Sequence, residues 1–238
     1  MMQRILVPSL VAAGLALLLP GGASAQAPKS YPLESATGLQ LHNVAAEPAT
    51  LHGKKGLRLT LAPGAASGQP DLEQLAALEG LEFSNGVIEA EIAGTPAPGA
   101  GQGARGFVGI AFRLQADRKT YDAFYLRPTN GRADDQERRN HAVQYIAHPE
   151  WPWDRLRKET PSRYEAYVDL LPGTWTKIKI EVCGERARLY VHDNEQPTLI
   201  VNDVKSGASA KGALALWLGP GTVAHFRNLT VRPETDKR

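Results

Sequence analysis

Residues 130–141 are a strongly polar segment between two apolar stretches, with the sequence NGRADDQERRNH. Six of these twelve residues are charged, whereas FYLRPT precedes them and AVQYIAHPEWPW follows them. Arginine, carboxamide and carboxylate side chains are planar groups that hydrogen-bond sugar hydroxyls, and tryptophan offers a face that can stack on the apolar side of a sugar ring. A polar loop followed by two tryptophans therefore indicates a carbohydrate-binding surface.

The candidate ligand-binding residues extend from the strand before this loop to the tryptophans after it. Arg127 and Gln144 lie in stretches that otherwise have the composition of buried strands. A polar side chain at such a position costs about 2–7 kcal/mol unless it is hydrogen-bonded, so these two residues must have partners. The full candidate set is Tyr125, Arg127, Asn130, Arg132, Asp134, Asp135, His141, Gln144, Trp151 and Trp153.

Three other interpretations of the same segment stay open. It could be a salt-bridge network that ties a long loop to the sheet, with the tryptophans as a small satellite core. It could be a non-sugar adhesion surface, if the tryptophans form a flat exposed patch. It could also be catalytic, hydrolysing or eliminating a glycosidic bond. The acid would then be Asp134, Asp135 or Glu150, with His141, His148 or Tyr145 as its partner.

Glu89 and Glu91 are two carboxylates on one face of a predicted strand, about 6–7 Å apart from the rise of about 3.3 Å per residue. Retaining glycosidases use a carboxylate pair about 5 Å apart. The alternation of this strand, however, places both residues on its outer face. We therefore interpret them as a solvated strand face.

The histidines and the single cysteine give little support to a transition-metal site. The sequence contains neither H-x-H nor H-E-x-x-H. Cys183 is the only thiol, which excludes cysteine-rich zinc sites and an internal disulfide. No cofactor is expected. A structural calcium ion is the one alternative that the sequence leaves open, because Ca²⁺ accepts scattered carboxylate and carbonyl oxygens. Its ligands would be Asn130, Asp134 and Asp135, although four nearby arginines compete for these carboxylates.

The elements that must position these residues are mostly strands. Segments such as TWTKIKIEVCG alternate apolar and polar residues with a period of two, which is typical of strands with one buried face. One helix is expected over residues 70–81, PDLEQLAALEGL, with Asp71 as its N-cap, and residues 94–106 are expected to form a flexible loop. Many short strands with turns between them favour an all-β fold, a two-sheet antiparallel jelly-roll sandwich with one short helix.

Four stretches of the chain carry a resemblance to a known superfamily: FSNGVIEAEIAG, RGFVGIAFRLQ, TYDAFYLRP and KGALALWLGPGTVAHFRNLTV. Over roughly residues 80–232 the chain resembles the concanavalin A-like lectin and glucanase superfamily, and within it the laminin-G-like and 3-keto-disaccharide-hydrolase-type exported bacterial domains. The resemblance implies a sandwich fold. It implies no single activity, because the superfamily includes lectins, carbohydrate-binding modules, glycosidases, lyases and adhesion domains.

The N-terminal segment predicts export. Arg4 is followed by an apolar run that ends at Ala23-Ser24-Ala25, so residues 1–25 are interpreted as a secretory signal peptide and residues 26–238 as one domain. The expected location is the periplasm or the medium, and no transmembrane segment is expected. The formal net charge of +2 argues against nucleic acid as a partner, which leaves a carbohydrate or sugar derivative.

Overall fold

The computed structural model describes residues 27–65 and 72–234. The predicted signal peptide, residues 1–25, therefore lies outside the described residues. In chain order the strands are β1 (Lys29–Tyr31), β2 (Leu39–His42), β3 (Val44–Leu51), β4 (Lys54–Leu61), β5 (Leu75–Leu78), β6 (Asn85–Pro96), β7 (Val108–Leu114), β8 (Tyr121–Leu126), β9 (Val143–His148), β10 (Glu165–Ala166), β11 (Thr176–Cys183), β12 (Arg186–Val191), β13 (Leu199–Val201), β14 (Ala213–Leu218) and β15 (Thr222–Glu234). A 3-10 turn at Pro128–Asn130 precedes the short helices α1 (Gln136–Asn140) and α2 (Trp153–Glu159).

The strands form two antiparallel sheets that pack into a sandwich, as the sequence predicted. One sheet has the order β13-β12-β11-β6-β15-β4-β3, with β1 also paired to β15. The other has the order β10-β9-β8-β7-β14-β5-β2, and we call it the cleft sheet because the clefts described below lie along it. Within the described residues, no helix is both long enough and apolar enough to cross a membrane.

The core between the sheets follows the predicted alternation. In β11, Ile178, Ile180 and Val182 are buried, whereas Lys177 is exposed. Cys183 is exposed at the end of the same strand, where the sequence had placed it. Alternate apolar side chains on a pleated strand therefore fill the space between the sheets and leave the charged ones outside.

The cleft sheet is buried on both faces at its centre. Every residue of β7 and β8 is buried, including a row of paired alanines that crosses the sheet: Ala215, Ala111 and Ala123. Along β8 this row is flanked by Tyr121 and Tyr125, whose hydroxyl groups take part in the two sites described below.

The helix predicted over residues 70–81 is wrong. Leu75–Leu78 form β5, which pairs with β2 on one side and β14 on the other, and all four residues are buried. A short apolar run that is buried on both faces has no periodicity that separates helix from strand, so pairing with two neighbours decides its structure. The predicted N-cap, Asp71, lies outside the described residues.

The predicted loop over residues 94–106 starts later than expected, because β6 continues through Pro96. Residues 97–107 then connect β6 to β7 and bring Arg105 and Phe107 to the end of the cleft sheet.

A substitution at Gly109 tests how closely the strands of the cleft sheet pack. A Cβ at this position would lie 2.2 Å from the Phe124 carbonyl oxygen and 2.6 Å from the Tyr125 Cβ, whereas a Cβ at Gly101 would meet nothing within 4 Å. We expect Gly109→Ala to lower the free energy of unfolding by about 1–3 kcal/mol through overpacking. Gly101→Ala should change it by less than about 0.5 kcal/mol. Urea unfolding measures both, and equal stabilities would contradict the described packing.

Candidate functional site

A cleft of about 330 Å³ lies where β8 ends and β9 begins, and we call it the arginine cleft. The β6–β7 connection, the 3-10 turn and both short helices contribute to its walls. Its lining residues are Gly103, Arg105, Phe107, Arg127, Asn130, Arg138, His141, Trp153 and Arg157. The structure thus brings four arginines and one tryptophan to one end of the cleft sheet.

Arg127 is the buried centre of this arrangement. Its Nη1 donates to Glu165 Oε1 at 3.0 Å and to the His141 carbonyl at 3.2 Å. Its Nη2 donates to the Tyr125 hydroxyl at 2.8 Å and to Gln144 Oε1 at 3.0 Å. Tyr125, Gln144 and Glu165 are direct neighbours on β8, β9 and β10. The partners that the sequence required for Arg127 and Gln144 are therefore present, and they hold one another in place.

The carboxylate of Glu165 is the negative partner of two arginines, Arg127 and Arg157. Its side chain is only 2% exposed, and it accepts hydrogen bonds from both Arg127 and Arg157. Burial opposes ionisation of Glu165, but the hydrogen bonds and positive charges of these two arginines outweigh it and lower the pKa of the carboxyl group. The sequence analysis missed Glu165, which lies 24 residues beyond His141 in the chain (165 minus 141).

His141 lies beside the same carboxylate, with Nδ1 3.0 Å from Glu165 Oε2 but without an aligned hydrogen bond. Burial is the largest influence on His141 and lowers its pKa, and the charges of Arg157 and Arg127 add to this, against the opposing charge of Glu165. His141 is therefore mainly neutral at neutral pH, and the arginines carry the positive charge of the cleft.

Several polar groups of the lining residues have hydrogen-bonding capacity left. Arg138 Nε and Asn130 Oδ1 are buried and have no hydrogen-bond partner among the described residues. Arg105 donates to two backbone carbonyls of its own loop, those of Gln102 and Ala104. Burial lowers the pKa of Arg105, and the positive charges of Arg138 and Arg127 lower it further. Buried polar groups that the protein leaves unpaired are completed by ordered water, an ion or a ligand.

Trp153 supplies an aromatic wall to the cleft. Its side chain is 45% exposed although the residue begins helix α2. The guanidinium carbon of Arg157 lies 4.7 Å from the centre of its ring, and that of Arg127 lies 5.8 Å away. Contacts of this kind hold the ring in one orientation and leave part of it open to solvent.

Six of the ten predicted binding residues do not line this cleft. Tyr125 and Gln144 are buried behind it as partners of Arg127, and the other four lie elsewhere. Arg132 forms a two-pronged ion pair with Asp169, at 2.6 and 2.7 Å, on the protein surface. Asp135 caps helix α1 by accepting a hydrogen bond from the Arg138 backbone N–H at 3.1 Å, and Asp134 is exposed. Trp151 lines a different cleft. Part of the charged loop therefore fixes the position of Arg138 rather than facing the cleft itself.

The second cleft, of about 480 Å³, lies at the other end of β8 and β9, and we call it the histidine cleft. Tyr121 and His148, which pair across β8 and β9, line it together with Trp151. Trp151 is already in contact with two cations, since the Arg155 guanidinium lies 3.9 Å and the Lys205 ammonium 4.6 Å from the centre of its ring. The two tryptophans thus serve different clefts, which the sequence analysis did not foresee.

His148 is held by a carboxylate that the sequence analysis missed. Its Nδ1 lies 2.7 Å from Glu73 Oε1, and the Tyr121 hydroxyl donates to the other oxygen of Glu73. Trp217 Nε1 donates to the Tyr121 hydroxyl at 3.0 Å. Burial raises the pKa of Tyr121 well above 10, and the charge of Glu73 and the hydrogen bond to it act in the same direction. Tyr121 therefore stays a neutral donor to Glu73.

The predicted acid partners do not meet the histidines and the tyrosine. Tyr145 donates to Asp122 at 2.5 Å, while His141 lies against Glu165 and His148 against Glu73. The predicted acids Asp134, Asp135 and Glu150 are all exposed. Each of the three predicted partners thus contacts a carboxylate other than those expected.

Glu89 and Glu91 lie among basic residues. Glu91 contacts Lys54 and Arg227, and Glu89 contacts Arg232. In the part of the chain that the structure describes, no three histidine, cysteine, aspartate or glutamate side chains converge in a way that could hold a metal ion.

No protein-family model matches this sequence, and the search of curated proteins finds no match. Solved structures with a similar fold include a carbohydrate-binding module from Bacillus subtilis, with a TM-score of 0.55 and 14% identity over 82% of this chain and 96% of that one. A Bacillus subtilis protein of unknown function with a galectin-like fold gives 0.53 and 12% identity, over 90% and 100%. A Crh5 transglycosylase in complex with NAG gives 0.50 and 12%, over 91% and 88%. At these identities, the likeness is one of fold: the chain has an antiparallel two-sheet β-sandwich with a galectin-like fold.

Glu165 makes the stability of the protein depend on pH. Because its pKa is lowered in the folded state, its stabilising effect is present above the unfolded pKa of about 4.3 and is lost as the pH falls through the folded pKa. Glu165→Gln should lower the free energy of unfolding at pH 7 by about 3–5 kcal/mol, because it leaves two arginines without their buried partner. The stability of the variant should then fall less steeply below pH 4.3.

Asp134→Asn, in an exposed position of the neighbouring loop, is the matched control and should change stability by less than about 0.5 kcal/mol. Denaturant unfolding from pH 3 to 7 measures all three proteins. A Glu165→Gln variant as stable as the wild type at pH 7 would refute the role of the buried pair.

Proposed function

We propose that this protein is an exported, single-domain β-sandwich of the concanavalin A-like superfamily that binds carbohydrate in the arginine cleft. The observation that carries the proposal is that one open cleft combines a partly exposed tryptophan with buried polar atoms that have no hydrogen-bond partner among the described residues. Sites for small polar ligands have this composition: a few well-placed polar groups beside an aromatic wall.

The chemistry of a sugar ring matches these two features. Its hydroxyl groups accept hydrogen bonds from Arg105 and Arg138 and can donate to the free Oδ1 of Asn130. Its apolar face can lie against the exposed part of Trp153. Solved proteins of similar fold include a carbohydrate-binding module, which supports the proposal at the level of the fold.

The buried network behind the cleft supports a binding role as well. Arg127 makes four hydrogen bonds to groups on three strands and to the His141 carbonyl, so the wall of the cleft is fixed before any ligand arrives. A site that is already ordered loses less conformational entropy on binding, which raises affinity.

Trp153→Ala tests the binding role. Loss of an aromatic face of this kind costs about 0.5–1.5 kcal/mol, so affinity for a bound glycan should fall by up to about ten-fold. Trp151→Ala, which removes the same side chain from the histidine cleft, is the matched control and should leave this affinity unchanged. A glycan array identifies the ligand, and calorimetry with that glycan compares the three proteins. Equal affinities for wild type and Trp153→Ala would contradict the proposal.

A second candidate function is catalytic and is favoured by the histidine cleft. The Glu73 carboxylate lies within hydrogen-bonding distance of His148 Nδ1, and no described residue forms a hydrogen bond with the other ring nitrogen, Nε2. A carboxylate that fixes one nitrogen of an imidazole leaves the other as a proton acceptor, which is the arrangement of a general base. Such a base could remove a proton from water or from a sugar, in hydrolysis or elimination of a glycosidic bond.

His148→Gln tests this second candidate. If His148 is a general base, the variant should lose about 10²–10⁴-fold in kcat for cleavage of a bound glycan, measured as newly formed reducing ends. His141→Gln alters the other glutamate–histidine pair and should leave kcat unchanged, with any effect confined to KM. Circular dichroism verifies that both variants are folded. Absence of cleavage by the wild type would leave the protein as a binding module.

A further inference from the structure

We propose that the ligand of the arginine cleft is an acidic saccharide whose carboxylate is bound by Arg105 and Arg138. The inference rests on the proposed carbohydrate-binding function and adds the chemical class of the sugar, a uronic acid. Acidic sugars carry either carboxylate or sulfate groups, and a pair of guanidinium groups can bind either oxyanion. The planar carboxylate is favoured because it matches the guanidinium fork in a two-pronged contact.

The cleft carries more positive than negative charge. Arg105, Arg127, Arg138 and Arg157 line it, and none of the described residues in its lining is acidic. Two carboxylates act on this group from outside the lining, those of the buried Glu165 and the exposed Glu137. Four positive charges against two negative ones leave a formal excess of two. An entering anion therefore gains favourable Coulomb energy that a neutral sugar does not.

The four arginines are not equally available. Arg127 and Arg157 are bound to Glu165, and Arg127 is also bound to Tyr125. Arg105 and Arg138, in contrast, have no carboxylate partner among the described residues: Arg105 donates to backbone carbonyls, and Arg138 Nε is buried without any partner. Glu165 thus neutralises the charges of Arg127 and Arg157, whereas the charges of Arg105 and Arg138 are left for a ligand to match.

Arg132, in the same loop as Arg138, has a carboxylate within hydrogen-bonding distance and is paired with it. Its Nε and Nη2 donate to the two oxygens of Asp169, at 2.6 and 2.7 Å. Arg138 lies six residues further along the chain (138 minus 132) with an Nε that makes no such contact. A ligand carboxylate would supply to the guanidinium group of Arg138 the negative charge that Asp169 supplies to that of Arg132.

Repulsion between the arginines supports the same conclusion. Burial, and then the positive charges of Arg138 and Arg127, lower the pKa of Arg105. A lowered pKa means that the charged form of Arg105 is held at a cost in free energy. An anion between Arg105 and Arg138 offsets the part of this cost that comes from repulsion between the arginines, which a neutral ligand does not.

The experiment compares three probes by calorimetry on the full chain: short oligohexuronates, the same oligomers after reduction of their carboxyl groups to the neutral sugars, and sulfated neutral oligosaccharides of the same length. The uronates should bind at least about ten-fold more tightly than their reduced forms, since about 1.4 kcal/mol corresponds to one decade. Arg138→Gln should abolish most of this preference. Arg132→Gln is the matched control and should keep it, because Arg132 is already paired on the surface.

Three results would count against the inference or its basis. Equal binding of uronates and reduced sugars, with Trp153→Ala weakening both, would overturn the anionic class and leave the proposed carbohydrate-binding function intact. Equal or tighter binding of the sulfated probes would overturn the carboxylate assignment. If none of these probes and no glycan of an array of neutral and acidic sugars binds, the proposed function itself fails. Arg105→Gln, on a different loop, repeats the test should Arg138→Gln fail to fold.

Discussion

The buried ion pair between Arg127 and Glu165 is the constraint on which this end of the molecule depends. Both side chains are at most 5% exposed, so each charge must be matched inside the protein. Polar side chains on three neighbouring strands form hydrogen bonds with Arg127, and Arg157 donates a hydrogen bond to the Glu165 carboxylate from helix α2. A buried network of this kind tolerates little displacement, because every member that moves leaves another polar group unpaired.

This constraint explains why a charged loop lies beside a hydrophobic sandwich. The backbone of His141 at the end of the loop accepts hydrogen bonds from both Arg127 and Asn130, so the loop is attached to the network at that point. Asp135 then orders α1 and sets the position of Arg138. The structural and the ligand-binding interpretations of residues 130–141 are therefore compatible. Part of the loop is fixed by hydrogen bonds to the network, and Asn130, Arg138 and His141 line the cleft.

The sequence predicted the elements better than the site. Two-residue periodicity identified β11 and its buried isoleucines, because one face of that strand meets solvent. It was ambiguous for Leu75–Leu78, which are buried on both sides. The sequence also pointed to Arg127, Gln144 and Trp153, but not to the glutamates that hold the clefts together. Glu73 and Glu165 come from distant parts of the chain and are brought in by sheet pairing and loop packing, which local patterns do not encode.

The two clefts contain the same pair of side chains in different surroundings. Strand β9 separates His141 at one end from His148 at the other, and each lies against a glutamate. Glu165 is already neutralised by two arginines, so the imidazole of His141 has little part in balancing its charge. The described hydrogen-bond partners of the Glu73 carboxylate are His148 and the neutral Tyr121. The carboxylate of Glu165 is thus shared with two arginines, whereas that of Glu73 contacts a histidine and a neutral hydroxyl group. The two glutamate–histidine pairs therefore differ in charge balance, and the difference comes from the side chains that each end of the sheet brings to its glutamate.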